Sequence, residues 1–400
     1  MKEHVSLLLV GIGGYGAKYV EHLFSKMEDH AIQIVGAVDP QASRSKFYDV
    51  IRDMKIPIYQ DMASFYESCT ADLAVISSPI HYHCEQTCFA LEHGSNVLCE
   101  KPAAATVQEV RKMIEYRDRF KKTVAIGFQW VYDPVFLKLK QDILADKLGK
   151  PLRLKTVVLW PRDNTYYTRS PWAGRIRMND RWILDSVANN AAAHFLHNMF
   201  FILGDDLLNT AFPEAVQAEL YRANRIESFD TCCMRIWIKN IEILFYATHA
   251  SKDKFGPYFE YEFENGKVIF NDPKVGENKL VVFYKNGEEH TYGTIDHGNM
   301  RKLWVTIEKI RGKTEVICPL ESALAHTLVI NGAHESSRIN DFPEKVLRKE
   351  QDMIWVENLS TTMADAFEND KLFSEMGVPW AQRGELVDLT NYDGIKGENI

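Results

Sequence analysis

A glycine-rich turn near the start of the chain limits the possible folds more than any other feature. The apolar run at residues 6–10 leads directly into Gly11, Gly13 and Gly16, which have the spacing G-x-G-x-x-G. A second apolar run, residues 32–38, ends in Asp39. A glycine turn between a strand and a helix, with an acidic residue after the next strand, is typical of a dinucleotide-binding βαβ unit. The pattern therefore predicts an N-terminal doubly wound α/β domain with a parallel sheet.

The glycines of this turn each have a predicted role. Gly11 permits the tight turn out of the strand, and Gly13 lets the backbone approach a diphosphate. Gly16 lets the following helix lie close against the sheet, and the N-terminus of that helix attracts phosphate. The residues predicted to bind the dinucleotide here are Gly11, Gly13, Gly14, Tyr15 and Gly16.

The acidic residue after the second strand indicates which dinucleotide is bound. Asp39 is placed to accept hydrogen bonds from the adenosine ribose hydroxyls, and its carboxylate would repel a 2′-phosphate. We therefore expect NAD as the cofactor. Arg44 and Lys46 follow shortly afterwards and leave NADP as an alternative.

Composition and charge exclude several other classes of protein. A net charge of −8 argues against nucleic acid and anionic membranes as partners. No segment approaches the ~20 apolar residues of a membrane helix. The seven cysteines include no C-x-x-C pair, so we expect free thiols, no bound metal and a cytoplasmic location.

The order of predicted elements divides the chain into three parts. Strands and helices alternate up to residue 127, which is typical of parallel βαβ units. Long strand-like runs dominate afterwards, and the pairs 265–266 and 286–287 are Asn-Gly, a strong hairpin signal. We therefore expect a Rossmann domain at 1–127, an α+β substrate domain at 128–338, and a helical extension at 339–400.

The second domain is expected to contain a large, mostly antiparallel, open-faced sheet. Helices would cover one face of this sheet and leave the other face free for a second subunit, so we expect a homodimer or homotetramer. Within the extension, apolar spacing predicts a single amphipathic helix over residues 344–369. The last twenty residues are polar and are expected to be irregular.

Two further motifs make the N-terminal part specific. Residues 77–83 read Ser-Ser-Pro-x-x-x-His, and residues 100–102 read Glu-Lys-Pro. Together with the glycine turn, these motifs resemble the glucose–fructose oxidoreductase/inositol dehydrogenase family (Gfo/Idh/MocA) over about residues 1–337. The resemblance implies an NAD(H)-dependent oxidoreductase acting on a secondary alcohol of a sugar, cyclitol or sugar derivative. It implies further cofactor contacts from Ser78, Pro79, His83, Glu100 and Lys101.

Alcohol oxidation requires a group that takes the hydroxyl proton and a cation that stabilises the developing alkoxide. Lys101 lies at the end of a predicted parallel strand and suits the second role. The family carries a catalytic histidine on a helix of its second domain, and His194 on the predicted helix 186–203 occupies that position. Asn190 then stands where the family has aspartate, although an alignment with a five-residue insertion makes Asp185 the equivalent. Both alignments remain open, so the catalytic candidates are Lys101, His194, Asn190 and Asp185.

The segment before that helix is rich in residues that bind sugars. Aromatic rings stack on pyranose rings, whereas arginine binds hydroxyls, carboxylates or phosphates. The same residue types are common at subunit contacts, which is the alternative interpretation. The residues predicted to bind a sugar-like substrate are Tyr166, Tyr167, Arg169, Trp172, Arg175 and Asn190.

Two other functions fit the same residues. A glycosidase, lyase or epimerase could retain NAD and oxidise its substrate only transiently. A non-catalytic NAD-binding regulator would keep the cofactor site and lose the proton relay, an option that Asn190 leaves open. The presence of both Lys101 and His194 favours an enzyme.

Overall fold

The computed structural model describes residues 4–26 and 31–397, which form two compact units. The first unit comprises residues 1–132 and 298–324, and the second comprises 133–297 and 325–400. The predicted boundaries at 127 and 338 differ from this division, because the chain returns to the first unit after residue 297. Contacts distant in sequence decide that return, and no local composition signal marks it.

A six-stranded parallel sheet forms the centre of the first unit. Its strands, in the spatial order β3-β2-β1-β4-β5-β6, are β1 (Val5–Val10), β2 (Ile32–Val38), β3 (Ile58–Tyr59), β4 (Leu73–Ile76), β5 (Asn96–Cys99) and β6 (Val124–Ile126). The strand order reverses beside β1, which is the Rossmann arrangement. The predicted doubly wound domain is confirmed.

Helices connect these strands. They are Gly16–Phe24, Tyr48–Asp53, Met62–Tyr66, His83–Glu92 and Val107–Phe120, and Arg301–Ile310 is added by the returning chain. The helix Val107–Phe120 matches its predicted bounds because Thr106 and Glu109 form a capping box at its start. Leu303 and Ile307 of the returning helix join the buried core around β1 and β2.

The second unit is built on a ten-stranded mixed sheet. The sheet has the order β16-β15-β14-β13-β7-β12-β11-β10-β17, and β20 also pairs with β10. Neighbours are antiparallel except for β7–β12 and β10–β17, so the predicted fold class is confirmed. The strands of the unit are β7 (Pro151–Leu159), β8 (Arg177–Met178), β9 (Arg181–Trp182), β10 (Ala215–Arg222), β11 (Thr231–Ile238), β12 (Ile241–Thr248), β13 (Phe255–Phe263), β14 (Gly266–Phe270), β15 (Lys279–Tyr284), β16 (Glu289–Thr294), β17 (Ile339–Asp341), β18 (Leu347–Glu350), β19 (Met353–Val356) and β20 (Leu386–Asp388). Two pairs, β8–β9 and β18–β19, form separate two-stranded sheets.

Helices of the second unit pack against this sheet. The helices of the unit are Pro134–Leu144, Asn164–Thr168, Ala193–Ile202, Leu320–Ser336, whose first residues belong to the first unit, and Leu359–Glu368. Met199, on the helix Ala193–Ile202, contacts Thr156 of β7. The side chains of Phe195, Met199 and Phe200 are buried, so this helix forms part of the core.

The opposite face of the sheet is not open along β10, β11, β12 and β7. Residues 342–382 cover it, and Phe367 and Phe373 join a buried cluster with Leu244 and Tyr246 of β12. The Tyr246 hydroxyl also donates hydrogen bonds to main-chain carbonyls of Ala366 (3.1 Å) and Lys371 (2.9 Å). The expectation of an open face for a second subunit is therefore wrong over these four strands, because the chain's own extension buries their apolar side chains.

The single helix predicted over residues 344–369 is also wrong. A 3₁₀ turn (Glu344–Val346) and the β18–β19 hairpin precede a shorter helix, Leu359–Glu368. Gln351 at the hairpin turn and Asn358 before the helix adopt positive φ angles of 52° and 60°, which interrupt a helix. The polar tail contains β20, where the prediction had no regular element.

Candidate active site and cofactor-binding residues

The glycine turn has the geometry that its sequence predicts. Gly11 has φ of +83°, and a Cβ on Gly16 would lie 2.1 Å from the Gly11 carbonyl oxygen. A Cβ on Gly13 would meet no atom closer than 4.0 Å, and one on Gly14 would meet none within 4 Å. Gly11 and Gly16 are therefore required by the fold itself, whereas Gly13 and Gly14 border open space in which a diphosphate fits.

The carboxylate of Asp39 is held by main-chain donors. Its Oδ2 accepts from the Ile12 amide at 3.0 Å, and its Oδ1 accepts from the Gln41 amide at 2.8 Å. Each oxygen keeps a further lone pair for a ribose hydroxyl. Arg44 donates to Gln41 Oε1 at 2.9 Å, and Lys46 pairs with Glu21 at 3.4 Å, so both cations already have partners.

The motif at residues 77–83 connects two loops of the first unit. His83 is buried, and its Nδ1 and Nε2 each lie 2.8 Å from a carbonyl oxygen, those of Pro102 and Ser78. Burial lowers the pKa of His83, and the two carbonyls oppose this effect. The Ser78 hydroxyl donates to Gln86. His83 therefore joins the loops after β4 and β5, and its expected contact with the cofactor stays a prediction.

Glu100 belongs to a buried hydrogen-bond network. Its Oε1 accepts from the Tyr19 hydroxyl at 2.7 Å and from the Lys302 ammonium. Lys302 also donates to the Tyr15 hydroxyl at 3.2 Å, which donates to Gln129 at 2.8 Å. Glu100 and Tyr15 therefore bond within the unit, and their expected contacts with the cofactor stay predictions.

Lys302 was missed by sequence reasoning because its partner lies about two hundred positions away. The side chain is fully buried. Burial would lower its pKa, but the negative charge of Glu100 outweighs this and the pKa is raised. Its only local signal is a lysine among the apolar positions of the helix Arg301–Ile310.

Lys101 and Pro102 follow directly after β5, at the carboxyl end of the parallel sheet. Lys101 is partly buried, and its amide donates to Glu100 Oε2 at 3.3 Å. In doubly wound sheets this edge carries the ligand-binding crevice. Two buried partners of the preceding residue, Tyr19 and Lys302, thus fix the backbone from which Lys101 extends.

The predicted helix 186–203 is interrupted in the second unit. Residues Val187–Ala191 form a π-helix, and the α-helix begins only at Ala193. A π-helical turn contains one more residue than an α-helical turn, and such turns are frequent at functional sites. His194 is partly buried in the first α-helical turn. The four-residue spacing from Asn190 therefore no longer defines a common α-helical face.

Asn190 and Asp185, the two candidates for the position of the family's aspartate, are in direct contact. Asn190 Nδ2 donates to Asp185 Oδ1 at 2.8 Å, and Asp185 Oδ2 accepts from the Gly174 amide at 2.7 Å. Asp185 is 3% exposed. The carboxylate absent from position 190 is thus supplied by Asp185 at hydrogen-bond distance.

A small cavity lies beside this pair. It is lined by Tyr166, Tyr167, Asp185, Ser186, Val187, Ile226, Phe229 and His249. The space in it that a water molecule can enter is about 10 Å³, which is room for a single water. Tyr166, Tyr167 and Asp185 are therefore brought together as predicted substrate and catalytic candidates.

The remaining predicted substrate residues separate into two groups. The Arg169 guanidinium stacks 3.8 Å from the centre of the Tyr166 ring and 5.3 Å from that of Trp172, and it lies 4.0 Å from Asp185. Arg175 instead pairs with Glu227 at a half-exposed position and does not line the cavity.

His249 was not predicted, whereas Arg162 belongs to the segment that was predicted to bind sugars. His249 follows β12 and is 2% exposed. Arg162 lies 4.8 Å from the centre of the Tyr166 ring. The sequence signal that could have identified His249 is the pair of polar residues, Thr248 and His249, at the end of an apolar strand.

Residues 5–128 match the family model GFO_IDH_MocA, described as an oxidoreductase family with an NAD-binding Rossmann fold. All of the matched residues lie in the first unit, so the match covers its NAD-binding Rossmann fold. The family resemblance and the predicted NAD-binding domain are therefore confirmed. No helix among the described residues is long and apolar enough to cross a membrane.

Curated relatives cover this chain in part. An inositol 2-dehydrogenase of Rubrobacter xylanophilus is 26% identical over 38% of this chain and 42% of its own length. The rhizopine catabolism protein MocA of Rhizobium meliloti is 28% identical over 35% of this chain and 43% of its own. The chain thus spans less than half the length of these two relatives.

Solved structures extend the similarity in fold to the second unit. The WlbA dehydrogenase of Chromobacterium violaceum, crystallised with NADH and UDP-GlcNAcA, aligns with a TM-score of 0.70 and 18% identity. The alignment covers 84% of this chain and 94% of that one. At this identity the match shows a shared two-domain fold.

Proposed function

We propose that this protein is an NAD-dependent oxidoreductase that transfers a hydride between nicotinamide and a secondary alcohol of a sugar, cyclitol or sugar derivative. The observation that carries the proposal is Lys101 at the carboxyl end of β5, inside the region that matches the oxidoreductase family. Relatives named inositol 2-dehydrogenase support the same class of reaction.

The first unit would hold the cofactor. The open space beside Gly13 and Gly14, at the N-terminus of the helix Gly16–Phe24, suits the diphosphate. Asp39 would accept hydrogen bonds from ribose hydroxyls, and the partners of Arg44 and Lys46 favour NAD over NADP. NAD, when bound, supplies the hydride acceptor.

The proton transfer would be carried out by this chain's own side chains. His194 would take the proton of the substrate hydroxyl, since a neutral imidazole is the usual general base near pH 7. The Lys101 ammonium would stabilise the negative charge that develops on a substrate alkoxide. His83, Glu100 and Lys302 would position Lys101 without touching the substrate.

Asp185 and Asn190 would act as a pair. Asn190 would use its amide oxygen to accept a hydrogen bond from a substrate hydroxyl, while its Nδ2 is held by Asp185. This arrangement supports an enzyme over a regulator, because the carboxylate has moved along the chain rather than disappeared.

Turnover of a sugar panel tests the proposal. The protein with NAD would be incubated with sugars, cyclitols, uronates and glycosides, following NADH by absorbance and products by mass spectrometry. We expect NADH with at least one substrate and a loss of about 100-fold or more in kcat for Lys101→Ala. Lys112→Ala, on the exposed face of the helix Val107–Phe120, is the matched control and should retain full activity.

Other outcomes would replace the proposal. A product formed without net NADH would indicate transient oxidation by retained NAD. Tight NAD binding without any product would favour the regulator.

A further inference from the structure

The cavity beside Asp185 is bordered by two buried polar groups that the proposed proton transfer does not use. His249 is the first, and its Nδ1 lies 2.8 Å from the Trp160 carbonyl oxygen, so this nitrogen carries the proton and donates it. Burial lowers the pKa of His249 to about 3, which keeps the ring neutral. Nε2 is then a hydrogen-bond acceptor, and it has no partner among the described residues.

Tyr167 is the second group. It lines the same cavity, and its buried hydroxyl has no hydrogen-bond partner within the described part of the chain. Burial raises the pKa of Tyr167 well above its usual value, and the charges of Asp230 and Asp185 act in the same direction, so the phenol stays protonated. A protonated phenol can donate one hydrogen bond. The cavity therefore has a buried donor and a buried acceptor, and leaving either without a partner is unfavourable in a folded protein.

The carboxylate of Asp185 is a further acceptor at this cavity. Its Oδ1 accepts from Asn190 Nδ2 at 2.8 Å, and its Oδ2 accepts from the Gly174 amide at 2.7 Å. A carboxylate offers about four lone-pair positions, so its capacity is larger than these two bonds. Because its charge acts on the Tyr167 hydroxyl, the two groups lie near each other.

The size of the cavity decides what can bind there. The space that a water molecule can enter is about 10 Å³, which fits one water and excludes a sugar ring. A buried water makes about three hydrogen bonds to polar groups that otherwise lack partners. A water here would accept from the Tyr167 hydroxyl and donate to His249 Nε2 and to the Asp185 carboxylate. Its two donors and one of its acceptor positions would then all be used.

We propose that one water molecule occupies this cavity, bonded to Tyr167, His249 and Asp185, and that Tyr167 and His249 are positioning residues for the contact between Asp185 and Asn190. The water joins the helix Asn164–Thr168, the end of β12 and the residue that precedes the π-helical turn. Tyr167 then binds water rather than the substrate that the sequence predicts for it. The water site is independent of the reaction, whereas its effect on turnover rests on the proposed oxidoreductase function.

A crystal structure of the full chain tests the water directly. We expect an ordered water within about 2.7–3.2 Å of His249 Nε2, the Tyr167 hydroxyl and an Asp185 carboxylate oxygen. A cavity that holds no water in the wild type overturns the proposal.

The crystal structure of Tyr167→Phe tests the positioning role without any turnover. This variant loses only the hydroxyl, so we expect the water to be lost and the Asp185 carboxylate to rotate. The distance from Asn190 Nδ2 to Asp185 Oδ1 should then exceed about 3.5 Å. If this contact stays at 2.8 Å, the positioning role is refuted.

Kinetics separate positioning from folding. With a substrate that the sugar panel identifies, Tyr167→Phe should lower kcat/KM by about 10-fold, as the loss of one hydrogen bond provides. The dissociation constant of NAD should not change, since the predicted cofactor-binding residues lie in the first unit. Tyr258→Phe is the matched control, because its hydroxyl bonds Glu260 at 2.6 Å and it does not line the cavity. Thermal unfolding would verify that both variants are folded.

Two variants distinguish the nitrogens of His249. The amide of asparagine reproduces the position of Nδ1, whereas that of glutamine reaches the position of Nε2. His249→Gln should therefore keep the bond to the water and retain more of kcat/KM than His249→Asn, which keeps only the bond to Trp160. The reverse order would mean that His249 acts through Trp160 alone, and would refute its role at the water.

The two proposals fail in different ways. If Tyr167→Phe loses the water but retains kcat/KM, the positioning role fails while the oxidoreductase stands. If no substrate of the panel is converted although the water and the shifted Asp185 contact are both observed, the oxidoreductase fails while the water site and its structural role stand.

Discussion

The two large sheets of this protein are covered in different ways. Helices next to each strand in sequence pack on the parallel sheet β1–β6, with the returning helix Arg301–Ile310 as an addition. The mixed sheet of the second unit is covered on one face by residues 342–382, which begin about ninety positions or more after the four strands that they cover. The alternation of strands and helices along the chain thus determines which helices cover the first sheet, whereas a segment distant in sequence covers the second sheet. Four changes test this contrast.

The largest effect is expected in the glycine turn, where the sequence pattern and the structure agree most closely. Gly16→Ala places a methyl group against the Gly11 carbonyl oxygen, at 2.1 Å without relaxation. We expect a loss of about 3 kcal/mol in the free energy of unfolding and no detectable NAD binding. Gly13→Ala is the control, since its Cβ enters open space, and should weaken NAD binding without loss of stability. Equal stabilities of the two variants in urea would contradict this account.

The next largest effect concerns the helix Arg301–Ile310, which the returning chain adds to the first unit. Lys302→Met removes the cation beside the buried Glu100, and breaking a buried ion pair costs about 3–5 kcal/mol. Lys309→Met on the same helix removes a partly exposed pair with Glu315 and should cost less than about 1 kcal/mol.

A double variant separates charge from packing at this position. Glu100→Gln combined with Lys302→Met should recover at least half of the loss, because no buried charge then lacks a counter-ion. Chemical denaturation of all four proteins provides the measurement. If the double variant is less stable than Lys302→Met, unpaired charge is not the cause.

The extension is expected to be part of the core of the second unit. Phe367 is 3% exposed and its ring lies 6.1 Å from that of Tyr246 and 5.6 Å from that of Tyr258. Phe367→Ala should lower the free energy of unfolding by about 3 kcal/mol. Phe255→Ala, at a position 42% exposed, should change it by less than about 0.5 kcal/mol.

The same variants report on association between subunits. Light scattering should give equal masses for the wild type and Phe255→Ala, and a concentration-dependent increase for Phe367→Ala, whose sheet face is less well covered. A cost below 1 kcal/mol for Phe367→Ala would mean that the extension does not stabilise the sheet.

The smallest effect depends on pH. His249 has a pKa of about 3 in the folded protein, below the ~6.5 of an unfolded histidine. Above pH 6.5 the imidazole is uncharged in both states and adds no pH dependence to the free energy of unfolding. Below pH 6.5 the unfolded state binds a proton that the folded state excludes. Between pH 6.5 and 5 the wild type should lose up to about 1.4 kcal/mol per pH unit relative to His249→Gln. Parallel stability curves for the two proteins would exclude a buried neutral His249.

Most of the first unit and part of the candidate site could be predicted from the sequence. Local sequence patterns identify the glycine turn, Asp39 and the Glu-Lys-Pro segment, because the strands and helices of a βαβ unit follow one another closely in the chain. The roles of His83 and Glu100 could not be read in this way. Both residues proved to bond within the protein, because their partners (Pro102, Ser78 and Lys302) are assembled only by folding.

In the second unit the spacing of Asn190 and His194 assumed a regular α-helix. The π-helical turn at Val187–Ala191 accommodates additional residues and brings Asp185 to Asn190, so neither sequence alignment was sufficient alone. Sequence periodicity does not distinguish a π-turn from an α-turn over five residues.

The sequence by itself determined the alternating strands and helices of the parallel sheet, the turn that accepts NAD and the strand-rich character of the second unit, because each depends on residues within about forty positions of one another. Only the tertiary structure decided that Lys302 neutralises Glu100, that the extension covers β10, β11, β12 and β7, and that His249 lines the same cavity as Asp185. These contacts join residues about 65 to 200 positions apart, where the burial of apolar surface and charge selects the partner and no local pattern records it.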